Sequence, residues 1–166
     1  MRNLVAIPLL ALAVVLQSAV MPALSLLSGT ADILLVLLAA WALQEGVTTS
    51  FQWALLGSLM ISVLSHLPWF IYLAGYGGVV VLARALQKRV WQVPMLAMFT
   101  VTFLGTVFMH LLTFVYLRLF GRGASFSDSM GLVTLPSLLL NLLVAIPVFG
   151  MMRDLAHWVF PSAESA

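Results

Sequence analysis

Residues 132–152 read LVTLPSLLLNLLVAIPVFGMM, a run without a single charge whose only strongly polar side chain is Asn141. A helix crossing a bilayer needs roughly 20 apolar residues at 1.5 Å rise each, and this stretch supplies them. Pro147 is interior and should kink the helix, whereas Pro136 stands near its start, where a missing N–H matters least. An amide in the middle of such a run must find a partner. Interhelical hydrogen bonding is the favoured use of Asn141 over substrate binding.

Working outward from this run, the same criterion marks five more candidates: Leu4 to Leu27, Ile33 to Leu43, Phe51 to about Leu67, Trp69 to Leu86, and Val93 to Leu117. The second is short, so it and the third read as a tilted pair or a hairpin dipping partway into the bilayer. The first follows Arg2, but its apolar core exceeds the roughly 7 to 15 residues of a secretory signal and is read as retained. The fold class expected is therefore an all-α integral membrane protein, a single transmembrane domain over 1–166 built as a bundle of about six helices. Composition agrees: 63% of residues are hydrophobic and 7% charged, against about half and a quarter in soluble domains. The net charge of +2 is too small to suggest nucleic acid. The absence of cysteine removes disulfides and thiolate sites.

With six spans, Arg2, Arg84, Lys88, Arg89 and Arg153 fall on one side and Arg118 and Arg122 on the other. The positive-inside rule then places both termini in the cytoplasm. Trp53, Trp69, Trp91 and Trp158 are expected near the interfaces, where amphipathic rings settle. The basic turn Arg84, Lys88 and Arg89 has two readings: a topology signal, or a contact for anionic headgroups or an acidic partner.

Ionisable residues inside spans are costly and are weighed as functional hypotheses. His110 forms a polar stripe with Thr102, Thr106 and Thr113 at helical spacing. It is either a ligand or proton contact or a neutral histidine bonded to a neighbouring helix, and the second is favoured because no carboxylate accompanies it at similar depth. His66 reads as interfacial and His157 as solvated. Asp32 opens the second span and is read as its N-cap. Thr106, His110 and Asn141 are the candidate intramembrane polar contacts. Small residues mark candidate packing or partner faces: Ala54, Gly57, Ser58 and Ser62 on the third span, and Ala74, Gly75 and Gly78 on the fourth. No paired carboxylates, nucleophile elbow, phosphate loop or zinc motif is present. No enzyme activity, cofactor or metal is expected.

The order of features resembles the rod shape-determining protein MreD family. The resemblance lies in Ala31-Asp32-Ile33-Leu34-Leu35 followed by Trp41-Ala42-Leu43, and in Ala54-Leu55-Leu56-Gly57 opening the next span. It continues in Tyr72-Leu73-Ala74-Gly75-Tyr76 leading to the basic turn, and in Leu135-Pro136-Ser137 with Leu140-Asn141-Leu142-Leu143. It covers roughly Thr30 to Arg153. Members often carry proline before the aspartate, where Ala31 stands here, and an acidic residue after the third span's glycine, where this chain has Met60, Ile61 and Ser62. The resemblance implies a non-enzymatic scaffold of the cell-wall elongation complex in the bacterial inner membrane. It would bind the bitopic protein MreC and link the MreB filament to peptidoglycan synthesis by RodA and penicillin-binding protein 2. The alternative is a substrate-binding membrane subunit of an energy-coupling-factor vitamin importer, which needs converging polar groups in a pocket. A lipid-modifying enzyme would need an acidic or histidine pair in one headgroup plane, and none is convincing.

Overall fold

The computed structural model describes residues 5–65, 67–88, 93–121 and 125–160. Arg2, His66, Arg89, Trp91 and Arg122 lie outside the described residues. Among the described residues there is no strand, and six helices follow in order: α1 (Ala6–Ala19), α2 (Ile33–Leu43), α3 (Ser50–Leu64), α4 (Trp69–Gln87), α5 (Pro94–Leu119) and α6 (Leu135–Val159). One helical turn (Phe126–Asp128) and a π-helical turn (Ser129–Thr134) run directly into α6. Three stretches are long and apolar enough to cross a membrane: Trp69–Gln87, Pro94–Leu119 and the continuous Phe126–Val159. The helices α1, α2 and α3 are shorter apolar segments.

Each boundary has a local cause. The expected first span, Leu4 to Leu27, is not one helix. Pro22 removes an N–H just past Ala19, and the chain turns through a 3-10 segment, Met21–Leu24. After α2 the chain reverses through Gly46, whose φ of +74° suits glycine. Pro94 occupies the first turn of α5, where no intrahelical N–H is needed. The last helix is continuous past Pro147 and runs beyond the expected Met152 end to Val159.

The short helix α2 is the axis of the bundle. Every residue from Leu34 to Ala42 is buried, and α2 packs against all five other helices, which follow one another around it in the order α1, α3, α4, α5, α6. Lipid tails are as apolar as leucine, so burial in this setting gains little from water exclusion. Close approach of backbones and hydrogen bonds must hold the helices together. The structure supplies the first at Gly57, which lies against Leu34, and at Gly105, where a Cβ would stand 2.7 Å from Val79.

One tryptophan is drawn into the bundle interior. Trp53 is fully buried and stacks on Trp41 with ring centroids 4.3 Å apart. It shares the buried face of α3 with Ser50, Ala54, Gly57, Ser58 and Ile61, so the helix rotation that seats Gly57 on α2 carries Trp53 inward as well. Trp69 and Trp158 remain exposed.

Candidate functional site

At 11 residues, α2 is about 16 Å long, roughly half of a 30 Å hydrocarbon core. Its first N–H groups have no partners within the helix. Away from water each would cost several kcal/mol if left bare. The bundle satisfies them with side chains drawn from other helices.

Asp32 caps α2 itself, its Oδ1 accepting from the Leu35 N–H at 2.9 Å. Gln17 of α1 reaches in so that Oε1 accepts from the Leu34 N–H at 3.0 Å. The Asn141 carbonyl of α6 accepts from the Asp32 N–H at 2.6 Å. Tyr76 of α4 directs its hydroxyl at the Asp32 carboxylate, 3.2 Å from each oxygen. The other end of the Asn141 amide donates to Thr106 of α5 at 2.8 Å, and the Thr106 hydroxyl donates to the Thr102 carbonyl one turn earlier. Five of the six helices therefore meet at one node. Asn141 and Thr106 are completely inaccessible to solvent.

A second layer fixes the loop that leads into α2. The Thr30 N–H donates to Ser137 Oγ at 3.0 Å, and the Ser28 N–H to the Leu132 carbonyl at 3.1 Å. The approach requires Gly29, because a Cβ there would lie 2.6 Å from the Val133 carbonyl oxygen and 2.7 Å from the Ser137 nitrogen.

His110 stands apart from the node. Its Nδ1 is 3.1 Å from Thr134 Oγ1, and that hydroxyl donates to the Ser129 carbonyl. The oxygen is thus free to accept from an Nδ1–H. Thr134 closes the π-helical turn over Ser129–Thr134, a rare geometry that occurs mostly as single turns within α-helices. Among the intramembrane candidates, Thr106 and Asn141 come together and His110 does not join them.

The basic turn is divided. Arg84 is drawn into the bundle, its guanidinium donating to the Val47 carbonyl, to Ser50 Oγ at 2.9 Å and to Gln87 Oε1 at 3.0 Å. Gln87 in turn donates to the Gln44 carbonyl at 2.7 Å. Arg84 therefore ties α4 to the α2–α3 turn instead of standing free as part of a basic patch. Lys88 is exposed, and Arg89 lies outside the described residues.

Of the small-residue faces, Ala54, Gly57 and Ser58 are buried, with the Ser58 hydroxyl returned to the Ala54 carbonyl. Ser62 bonds the Leu59 carbonyl. Gly75 and Gly78 receive Met109 and Phe108 of α5, while Ala74 is exposed. Sequence reasoning passed over Gln17, Tyr76, Ser137 and Thr134 as site residues. Gln17 alone had a clear signal, as an amide inside an apolar run.

Chemically, the node binds its own parts. Each polar side chain in it is engaged by another helix or by a backbone group, and no basic side chain pairs with Asp32 among the described residues. Nor do three His, Asp or Glu side chains gather in one place among those residues. No family model, curated protein or solved structure matches the chain.

Proposed function

We propose that this chain is a non-enzymatic scaffold of the MreD type. It sits in the bacterial inner membrane as six spans with both termini in the cytoplasm, binds MreC, and through it links MreB to RodA and penicillin-binding protein 2. One observation carries the reading. The separate stretches that give the resemblance converge in space: Asp32 meets Tyr76 and Asn141, and Thr30 beside it meets Ser137. Words scattered over more than a hundred residues thus serve one fastening point, as expected if they belong to a shared architecture.

The arrangement also suits a scaffold physically. A node whose donors and acceptors engage one another holds helices in register and leaves the outer surface for recognition. That surface is broadly apolar, with Phe51, Val63, Phe103, Leu143 and Met151 among its exposed side chains, so a partner's transmembrane helix would meet packing surface rather than a polar pocket. The orientation draws support from Arg84, which bonds Gln87, and Arg153, which lines one end of the bundle with Gln87, away from Arg118 at the end of α5.

The test is affinity purification of the tagged chain from its native membrane in mild detergent, with mass spectrometry of the retained proteins against an untagged control. Enrichment of MreC with RodA or penicillin-binding protein 2 is expected. Recovery of an energising transporter subunit with ATPases, and no wall-synthesis protein, would overturn the proposal in favour of an importer.

A further inference from the structure

At the far end of α2 from the Asp32 node, a cleft of about 660 Å³ opens between the ends of α2, α4, α5 and α6. That volume falls in the range of small-molecule sites, about 300 to 1,000 Å³. Its walls are apolar where Met95, Ile146 and Phe149 line it, and Ile146 is itself half exposed on the outer surface. Its rim carries opposite charges from different helices: Glu45 follows the end of α2, and Arg153 stands on α6. These two form no ion pair with each other. The ion pair found among the described residues joins Arg153 to its neighbour Asp154 at 3.3 Å, with both side chains more than half exposed, a contact worth little in water.

We propose that this cleft binds a zwitterionic phospholipid of the phosphatidylethanolamine class. The ammonium meets Glu45, the phosphodiester meets Arg153, and an acyl chain lies over Met95, Ile146 and Phe149 toward the lipid-facing surface. Opposite charges carried by two different elements at one mouth complement a headgroup that carries both. A purely anionic head would leave Glu45 facing like charge, and a headgroup without a tail would leave the apolar wall bare. The ethanolamine ammonium offers three N–H donors to a carboxylate, which a quaternary choline cannot do. The inference requires the bilayer setting and is independent of MreC, so either can fail alone.

Gly150 provides the decisive variant. It lines the cleft, and a Cβ built on it meets nothing within 4 Å, so Gly150→Phe starts from open space and adds bulk at the cleft wall. The experiment is native mass spectrometry of the full chain, delipidated in detergent and offered equimolar phosphatidylethanolamine, phosphatidylcholine and phosphatidylglycerol, with glycerophosphoethanolamine as the tail-less control. The wild type should retain phosphatidylethanolamine about tenfold over the other two and fail to retain the control. Gly150→Phe should lose that adduct while keeping its unfolding temperature, and Glu45→Gln and Arg153→Gln should each erase the preference. Equal retention of all three lipids, or an undiminished adduct in a folded Gly150→Phe protein, would overturn the assignment. Capture of glycerophosphoethanolamine alone would overturn the lipid and point to a soluble zwitterion.

Discussion

The side-chain carbonyl of Asn141 accepts a hydrogen bond from the backbone N–H of Asp32 at 2.6 Å, joining the middle of the last helix to the start of the central one. The same amide donates to Thr106, so one residue locks three helices. Replacing it with leucine removes both bonds and leaves the Asp32 N–H bare. Interhelical hydrogen bonds in membranes average about 0.6 kcal/mol, and an orphaned buried group adds about 1–3 kcal/mol. Asn141→Leu should therefore destabilise the chain by about 2–4 kcal/mol in a denaturant titration in detergent micelles, and Thr106→Val, which leaves the buried Asn141 Nδ2 donor bare, by about 1.5–3.5 kcal/mol. A double variant less destabilised than the sum would show the coupling directly.

Gly29 and Gly77 should respond oppositely to the same change. A methyl at Gly29 would press on the backbone at the start of α6, whereas one at Gly77 meets nothing within 4 Å. Gly29→Ala is expected to cost about 1–3 kcal/mol through overpacking. Gly77→Ala, inside α4, should stabilise by about 0.5–1 kcal/mol through helix propensity. Paired thermal unfolding curves would read the difference in sign.

Arg84 should behave as a structural tether. Arg84→Ala leaves the Val47 carbonyl and Ser50 without their donor, and the loss of charge-assisted bonds should cost about 1.5–3 kcal/mol. Arg84→Lys should recover less than half, because a single ammonium cannot reproduce the guanidinium fork that also holds Gln87. Limited proteolysis of the α2–α3 turn in both variants would report whether the tether has been released.

Leu27 adopts φ +54° at an exposed position, a backbone state that costs a residue with a Cβ about 1–2 kcal/mol. Leu27→Gly should raise the unfolding midpoint by relieving part of that cost. Leu27→Val, branched at Cβ, should lower it.

Much of the bundle could be read from the chain, and the reason for each failure is physical. The bounds of α2 are those the apolar run predicts, because Asp32 and the Gln44-Glu45-Gly46 turn punctuate it. The caps and bonds of Asp32 and Asn141 likewise follow from a polar group having few choices inside an apolar helix. The first span misled because hydropathy continues through Met21 to Leu27 while Pro22 ends the hydrogen-bond ladder. The burial of Trp53 was not legible because the serines and Gln52 of α3 are spread around much of its circumference, so no single polar face signals which way it turns. Its rotation is set by where Gly57 and Ser58 fit. Arg84 misled because charge counts carry no information about reach: its long side chain returns to a turn some 37 residues earlier. Tyr76 was hidden for a related reason, since an aromatic in an apolar run reads as core until its hydroxyl is seen to meet a carboxylate.

The central claim is that this bundle is a scaffold for a bitopic partner. Its most direct test is coexpression of the full chain with the MreC encoded in the same genome, each with a different tag, followed by tandem affinity purification and size exclusion in mild detergent. The account predicts one peak holding both proteins in fixed ratio, preserved in Gly77→Ala and lost in variants that place bulky side chains on the exposed face near Ala74. Separate elution of two folded, monodisperse proteins would contradict it.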